Sequence, residues 1–258
     1  MLLGFNVSVY AETLVLTPAK DNTLFEDNVN YSGGVSSFTF FGPIASGSPR
    51  RTLWQFDVSS IPSGAQIHSV SVKFVVSRAA IGSSPDDVAT LHRLNASWGE
   101  GNSDSGTGGG GTQATPEDAT WAYRFYGNPG AGIPRTPWVN PGGDYQASAS
   151  ATIPVGGIGN YTFSSTVQMV NDVSAWVNNP SSNHGWILIG AEGGELSQKA
   201  KRIVSRESPS ITERPTLTVD FTRPSTSPVA VPLLPEFGLS VFGLMLVIIG
   251  HRLSTRPS

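Results

Sequence analysis

Val70-Ser71-Val72-Lys73-Phe74-Val75-Val76 decides the fold. Val70, Val72, Phe74 and Val76 recur every second residue, the period of a β-strand with one buried face, whereas a helix would repeat every three to four. The same signature spreads outward from this stretch. Upstream, Ile61-Pro62-Ser63-Gly64 is a turn signal. Before it, Trp54, Phe56 and Val58 alternate with Gln55 and Asp57, Val35 to Phe41 is an apolar and aromatic run ending at Gly42-Pro43, and Thr13 to Leu16 opens the series. Downstream, Val88 to Leu94 reads as a strand. Gly185-Trp186-Ile187-Leu188-Ile189-Gly190 is short enough for a core strand, Arg202 to Arg206 follows, and Leu217, Val219 and Phe221 alternate with Thr218 and Asp220. Only Val170, Val173, Trp176 and Val177 recur at helical spacing, and Asn178-Asn179-Pro180 ends that segment. The expectation is an all-β protein, a β-sandwich with one short helix.

Composition agrees. Gly and Pro supply 48 of 258 residues and charged residues only 14%, which suits short strands joined by many turns. The net charge of −3 gives no basic face for nucleic acid, so no nucleic-acid partner is expected. With no cysteine, disulfide and thiolate chemistry are excluded.

The ends point to export. Leu2 to Val9 is a short apolar stretch closing on Val9-Tyr10-Ala11, a small-x-Ala pattern like the end of a cleaved signal peptide, although a first strand would also fit. The expected organisation is a signal remnant over 1–11, a β-sandwich domain over 12–222, a Pro/Ser/Thr linker over 223–230, and a membrane anchor over 231–258. The anchor rests on the apolar run Leu239 to Gly250 followed by His251, Arg252 and Arg256. The run lacks the polar stripe of a core helix, and the basic tail belongs on the cytoplasmic side. This C-terminal helix is therefore expected to span the membrane.

Val231-Pro232-Leu233-Leu234-Pro235-Glu236-Phe237-Gly238 resembles the short motif of exosortase-type C-terminal sorting signals, with Phe237 where Trp is usual. The resemblance implies an exosortase-type processing enzyme as partner, with Val231, Pro232, Pro235, Glu236, Phe237 and Gly238 as the recognised residues. The body resembles DNRLRE domains of microbial surface proteins. Asp21-Asn22-Thr23-Leu24-Phe25-Glu26 matches the name-giving motif except that Thr23 and Phe25 replace its two arginines. Arg51 to Val58 with Ile61 to Ile67, Trp98-Gly99-Glu100, Thr120-Trp121, Ser205-Arg206-Glu207 and Arg214 to Leu217 follow in the family's order. The resemblance implies a jelly-roll-like, non-catalytic module on the cell surface, some of whose relatives bind acidic polysaccharides.

Candidate chemistry is sparse. Gly106 to Gly111 satisfies G-x-G-x-x-G but lacks the strand before and helix after that a dinucleotide site requires. No histidine spacing indicates zinc and no G-x-S-x-G elbow is present. Asp86-Asp87, Glu100, Asp104, Glu117-Asp118 and Asp144 lie in or near loops, where oxygen-rich turns suit a structural Ca²⁺, with solvated loop charges as the alternative. Asp21 and Glu26 flank a strand, with Arg51, Arg206 and Arg214 as partners or as forks for an acidic sugar. Trp121, Tyr123, Arg124, Trp138 and Tyr145 combine aromatics with a cation in the long irregular segment from Ser97 to Ala151 and are the expected ligand-binding residues. The same tryptophans could instead serve as core. The functional expectation is binding or organising extracellular polysaccharide, with a structural surface protein or a polysaccharide lyase or hydrolase as alternatives.

Overall fold

The computed structural model describes residues 11–192 and 198–224. The expected signal remnant other than Ala11, linker residues 225–230, and the sorting signal with its apolar helix lie outside the described residues. Among the described residues, no helix is long and apolar enough to cross a membrane.

In chain order the strands are β1 (Ala11–Leu16), β2 (Lys20–Phe25), β3 (Tyr31–Ser32), β4 (Phe38–Pro43), β5 (Pro49–Gln55), β6 (Gln66–Ala79), β7 (Val88–Arg93), β8 (Thr112–Gln113), β9 (Tyr123–Phe125), β10 (Thr136–Pro137), β11 (Ala151–Pro154) and β12 (Gly159–Phe163). Helix α1 (Val167–Asn178) follows, then β13 (Trp186–Ile189), β14 (Lys201–Val204) and β15 (Thr216–Thr222). Ala11, expected to close the signal remnant, is the first residue of β1 and pairs with Thr222.

Eleven strands form one curled antiparallel sheet, in the order β1-β15-β6-β14-β4-β5-β13-β7-β11, with β12 added to β6 and β2 added to β5. The sheet turns its corner at β4. Phe38 to Phe41 pair with β14, whereas Gly42 and Pro43 pair with β5. Gly42 sits at φ +86°, and a Cβ there would meet the Lys199 carbonyl at 3.0 Å, so the corner requires glycine. The 14-residue β6 is the spine of the first half. β15 pairs with its first part and β14 with its last, both along one edge, while β12 takes the other.

The two halves face each other across one core, as in a β-sandwich. Val70, Val72, Phe74 and Val76 of β6 and Leu217, Val219 and Phe221 of β15 meet Trp54, Leu91, Trp186 and Leu188 from the other half. Trp54 lies 5.6 Å from Phe74 between ring centroids. Each such fully buried side chain contributes about 1.5–3 kcal/mol relative to exposure. Helix α1 closes the core with Met169, Val173, Trp176 and Val177, and the Trp176 ring lies 4.4 Å from that of Trp186. Its N-terminus is fixed by Thr166, whose hydroxyl accepts from the Met169 amide at 3.0 Å.

The second half is covered on its outer face as well. Leu53, Ile187 and Ile189 point away from the main core into a second cluster with Leu24, Trp98, Trp121 and Trp138. The segment between β7 and β11 is therefore a cap over the sheet. This explains why β13 is apolar at every position: both of its faces are buried.

Candidate functional site

The cap contains all five residues expected to bind ligand, and the structure divides them. Trp138 is buried in the second cluster, its indole N–H donating to the Thr120 carbonyl at 2.8 Å. Trp121 is buried too, with the Arg51 guanidinium 4.6 Å from its ring. Both tryptophans are thus core side chains, with no broad face left for a sugar. The cation stacked on Trp121 comes from β5 and not from Arg124. Half-buried Tyr145 lies against the same Arg51 and against His92, at 5.6 and 5.2 Å. Tyr123 and Arg124 lie nearer the surface. Tyr123 packs beside Tyr126 and Arg135, and Arg124 donates to the carbonyl and hydroxyl of Ser97 at 3.1 Å.

The anticipated partners of Asp21 and Glu26 also differ. Arg51 pairs with Glu192 at 2.6 Å, Arg214 donates to the Ser208 carbonyl, and Glu26 accepts from Ser48. Arg206 alone reaches Asp21, through its backbone N–H at 2.8 Å, while its guanidinium grips Glu100 with two bonds of 2.7 and 2.8 Å. Thr23 and Phe25, which stand where the resembled motif has arginines, are buried. The Thr23 hydroxyl accepts from the Phe40 amide, and the Arg50 guanidinium stacks 5.0 Å from the Phe25 ring.

Asp21, Glu100 and Glu207 come together although they lie far apart in the sequence. One carboxylate oxygen from each lies within 4.8 Å of the others. Glycine lets the Glu100 segment pack closely on the rest of the cap: a Cβ on Gly99 would fall 1.8 Å from the Glu117 carbonyl oxygen. Asn22 locks the arrangement by donating to the Glu100 carbonyl at 3.1 Å and accepting from Ser32 and Gly33. Burial, together with the charges of Glu207 and Glu100, pushes the Asp21 carboxyl well above the usual range. Burial first and Glu100 next push Glu207 up as well. Asp21 is fully buried, so it cannot act on a sugar as one of the two spaced carboxylates of a glycosidase.

A cleft of about 840 Å³ opens elsewhere, along the outer side of β4, β14 and β6. Phe40, Arg50, Arg78, Ile81, Gly109 and Arg202 line it. Arg202 stands directly opposite Arg78 on one side and Phe40 on the other, so the three side chains share one face. Burial, then the charge of Arg78, lowers Arg202 from the usual arginine range. Its guanidinium lies 3.9 Å from the Phe38 ring and donates to Ser77 at 3.0 Å. The deeper cations are neutralised. Arg50, 2% exposed, pairs with Asp27 at 2.8 Å, and Lys201, also 2% exposed, pairs with Asp87 at 2.6 Å. Arg78 and Arg202 form no ion pair with an acid among the described residues.

No family model matches this chain, and no curated protein sequence matches it.

Most of the loop carboxylates flagged for Ca²⁺ hold the cap and its neighbours in shape. Asp104 accepts from the Gly106 amide, Asp118 from Thr115, and Asp144 from the amides of Val139 and Asn140. Asp87 is taken by Lys201 and Lys199. Burial would raise its carboxyl, but the hydrogen bonds from these two lysines outweigh that and hold it below its ordinary value. Glu100 alone joins a carboxylate cluster. The Gly106 to Gly111 run forms a wall of the cleft, where the Gly109 carbonyl accepts from Arg50 at 3.1 Å. Sequence reasoning missed Arg78 and Arg202 as a pair, because their juxtaposition exists only once β6 and β14 are in register.

Proposed function

We propose that this protein is a non-catalytic, exported surface module that binds acidic extracellular polysaccharide in the cleft between β4, β14 and β6. The observation that carries this reading is the directly opposed Arg78 and Arg202, two guanidinium groups on one sheet face with no acid paired to either among the described residues. Like charges in that arrangement destabilise a sheet, and an anion between them reverses the sign. A uronate carboxylate suits a guanidinium fork, which forms charge-assisted and often paired hydrogen bonds. Ile81, 96% exposed at the rim, gives a sugar's C–H face an apolar neighbour. The sequence patterns at the two ends add export, exosortase-type processing and membrane attachment to the proposal. The ordered blocks that resemble DNRLRE domains favour a jelly-roll-like surface module.

The test is affinity electrophoresis and calorimetry of the full chain with polyuronates, using a neutral glucan as control. Binding to polyuronate that weakens with added salt is expected. Equal retardation by the neutral glucan, or none by any acidic glycan, would refute the reading. Self-assembly insensitive to glycans would instead mark a structural matrix protein.

A further inference from the structure

We propose that Asp21, Glu100 and Glu207 form a binding site for a divalent cation of the calcium class. The geometry supplies three carboxylates whose nearest oxygens lie within 4.8 Å of one another. Two of those carboxylates carry buried oxygens that no donor satisfies, Asp21 Oδ1 and Glu207 Oε2. Asp21 itself is fully buried at the start of β2. An unpaired buried carboxylate oxygen is costly, and a native structure normally gives it a partner.

The positive groups facing the cluster do not fill that role. The Arg206 guanidinium is committed to Glu100 and to Glu207 Oε1, at 2.6 to 2.8 Å. The Lys20 ammonium donates to the Trp98 carbonyl and lies 4.3 Å from the Trp98 ring centroid. Three carboxylates against these two cations leave the cluster negative. The ligands are all oxygen, with no histidine or cysteine among them, which favours a hard cation over zinc. Ca²⁺ accepts irregular shells of about six to eight oxygens, whereas Mg²⁺ demands a near-ideal octahedron. Glu100 and Glu207 are only partly buried, so water can complete the shell from their side. A cation here would clamp β2, the start of the cap and the segment after β14.

A proton is the competing occupant. Shared between Asp21 and Glu207, it would satisfy both oxygens without metal. The two are separated by titrating Ca²⁺ into the EDTA-stripped full chain, by calorimetry and thermal melting, beside Glu207→Gln and Asp21→Asn. Calcium at about one hundred times its Kd should raise the wild-type midpoint by about 5–10 °C. Either substitution should weaken calcium binding by more than the roughly 10–100-fold typical of losing an outer-shell partner. If Asp21→Asn does not fold, Glu207→Gln still decides, because Glu207 is only partly buried whereas Asp21 is fully so. A flat calorimetric trace to about 5 mM Ca²⁺, above the weakest extracellular sites, would overturn the proposal. So would calcium binding that Glu207→Gln leaves unchanged. A Glu207→Gln protein that melts at or above wild type regardless of calcium would identify the proton as occupant.

Discussion

Replacing Arg78 by Gln should stabilise the protein while weakening the proposed polyuronate binding, a combination that a merely structural arginine would not give. Arg78 is exposed at the end of β6, directly across from Arg202. Like charges at directly opposed positions cost about 0.2–1 kcal/mol, and solvent around Arg78 holds the figure toward the low end. For a domain of this size about 1 kcal/mol moves the melting midpoint by 2–4 °C, so Arg78→Gln should melt about 0.5–4 °C higher. Gln keeps the stem and a polar head, so the packing change is small. On the binding side, a hydrogen bond to a charged group is worth about 1.5–3 kcal/mol, equivalent to about 10–150-fold in affinity for polyuronate. The assay is differential scanning fluorimetry beside calorimetric titration, each at low and high salt, since screening should shrink both effects together. Unchanged polyuronate affinity would refute the assignment of the cleft. A midpoint falling by several degrees would show that Arg78 supports the fold.

Asp87→Asn leaves Lys201 buried without its acid and should cost about 3–5 kcal/mol in urea unfolding. In wild type the Asp87 carboxyl is held below its ordinary value. Its contribution is therefore complete above pH about 4 and is lost as pH falls through the folded value, so the urea midpoint of Asp87→Asn should fall less steeply on acidification. Trp138→Ala empties the second cluster and should cost about 3–5 kcal/mol, with hydrogen exchange rising first in the cap. Thr166→Ala removes the cap of α1 and should cost about 1 kcal/mol, read as a melting midpoint lower by about 2–4 °C.

How much of this was legible in the sequence depends on what each strand faces. β6 and β15 bury one face only, so Val70 to Val76 and Leu217 to Phe221 show a plain period of two. β13 was legible as a short apolar run, but its two-sided burial was not, because nothing local says that the cap lies over it. In the Trp54-Phe56-Val58 stretch the ladder ends at Gln55, yet Phe56 and Val58 still reach the core as the chain turns, with the Ile61 amide donating to the Val58 carbonyl. β11 and β12 passed unread. Ala151-Thr152-Ile153-Pro154 and Gly159-Asn160-Tyr161-Thr162-Phe163 are short and mix strand formers with strand-disfavouring Ala, Pro, Gly and Asn, and pairing with β7 and β6 makes them strands. The aromatics of the cap were legible as important but ambiguous in role. A tryptophan suits a core and a sugar face equally well until its neighbours are known.

The cleft and the carboxylate cluster are built from the same two stretches of chain. The segment that begins at Glu100 runs on to Gly109 at the cleft wall, and the segment that places Arg202 in the cleft runs on to Arg206 and Glu207. Whatever fixes Glu100 and Glu207 therefore limits how far the two walls can move apart. A binding site built from two loosely tied segments loses affinity to the entropy of ordering them, and a clamp at their roots removes that cost beforehand. On this argument the buried Asp21 has its place in the design. It lies on β2, which pairs with β5 along its whole length, and so ties both stretches to the middle of the sheet.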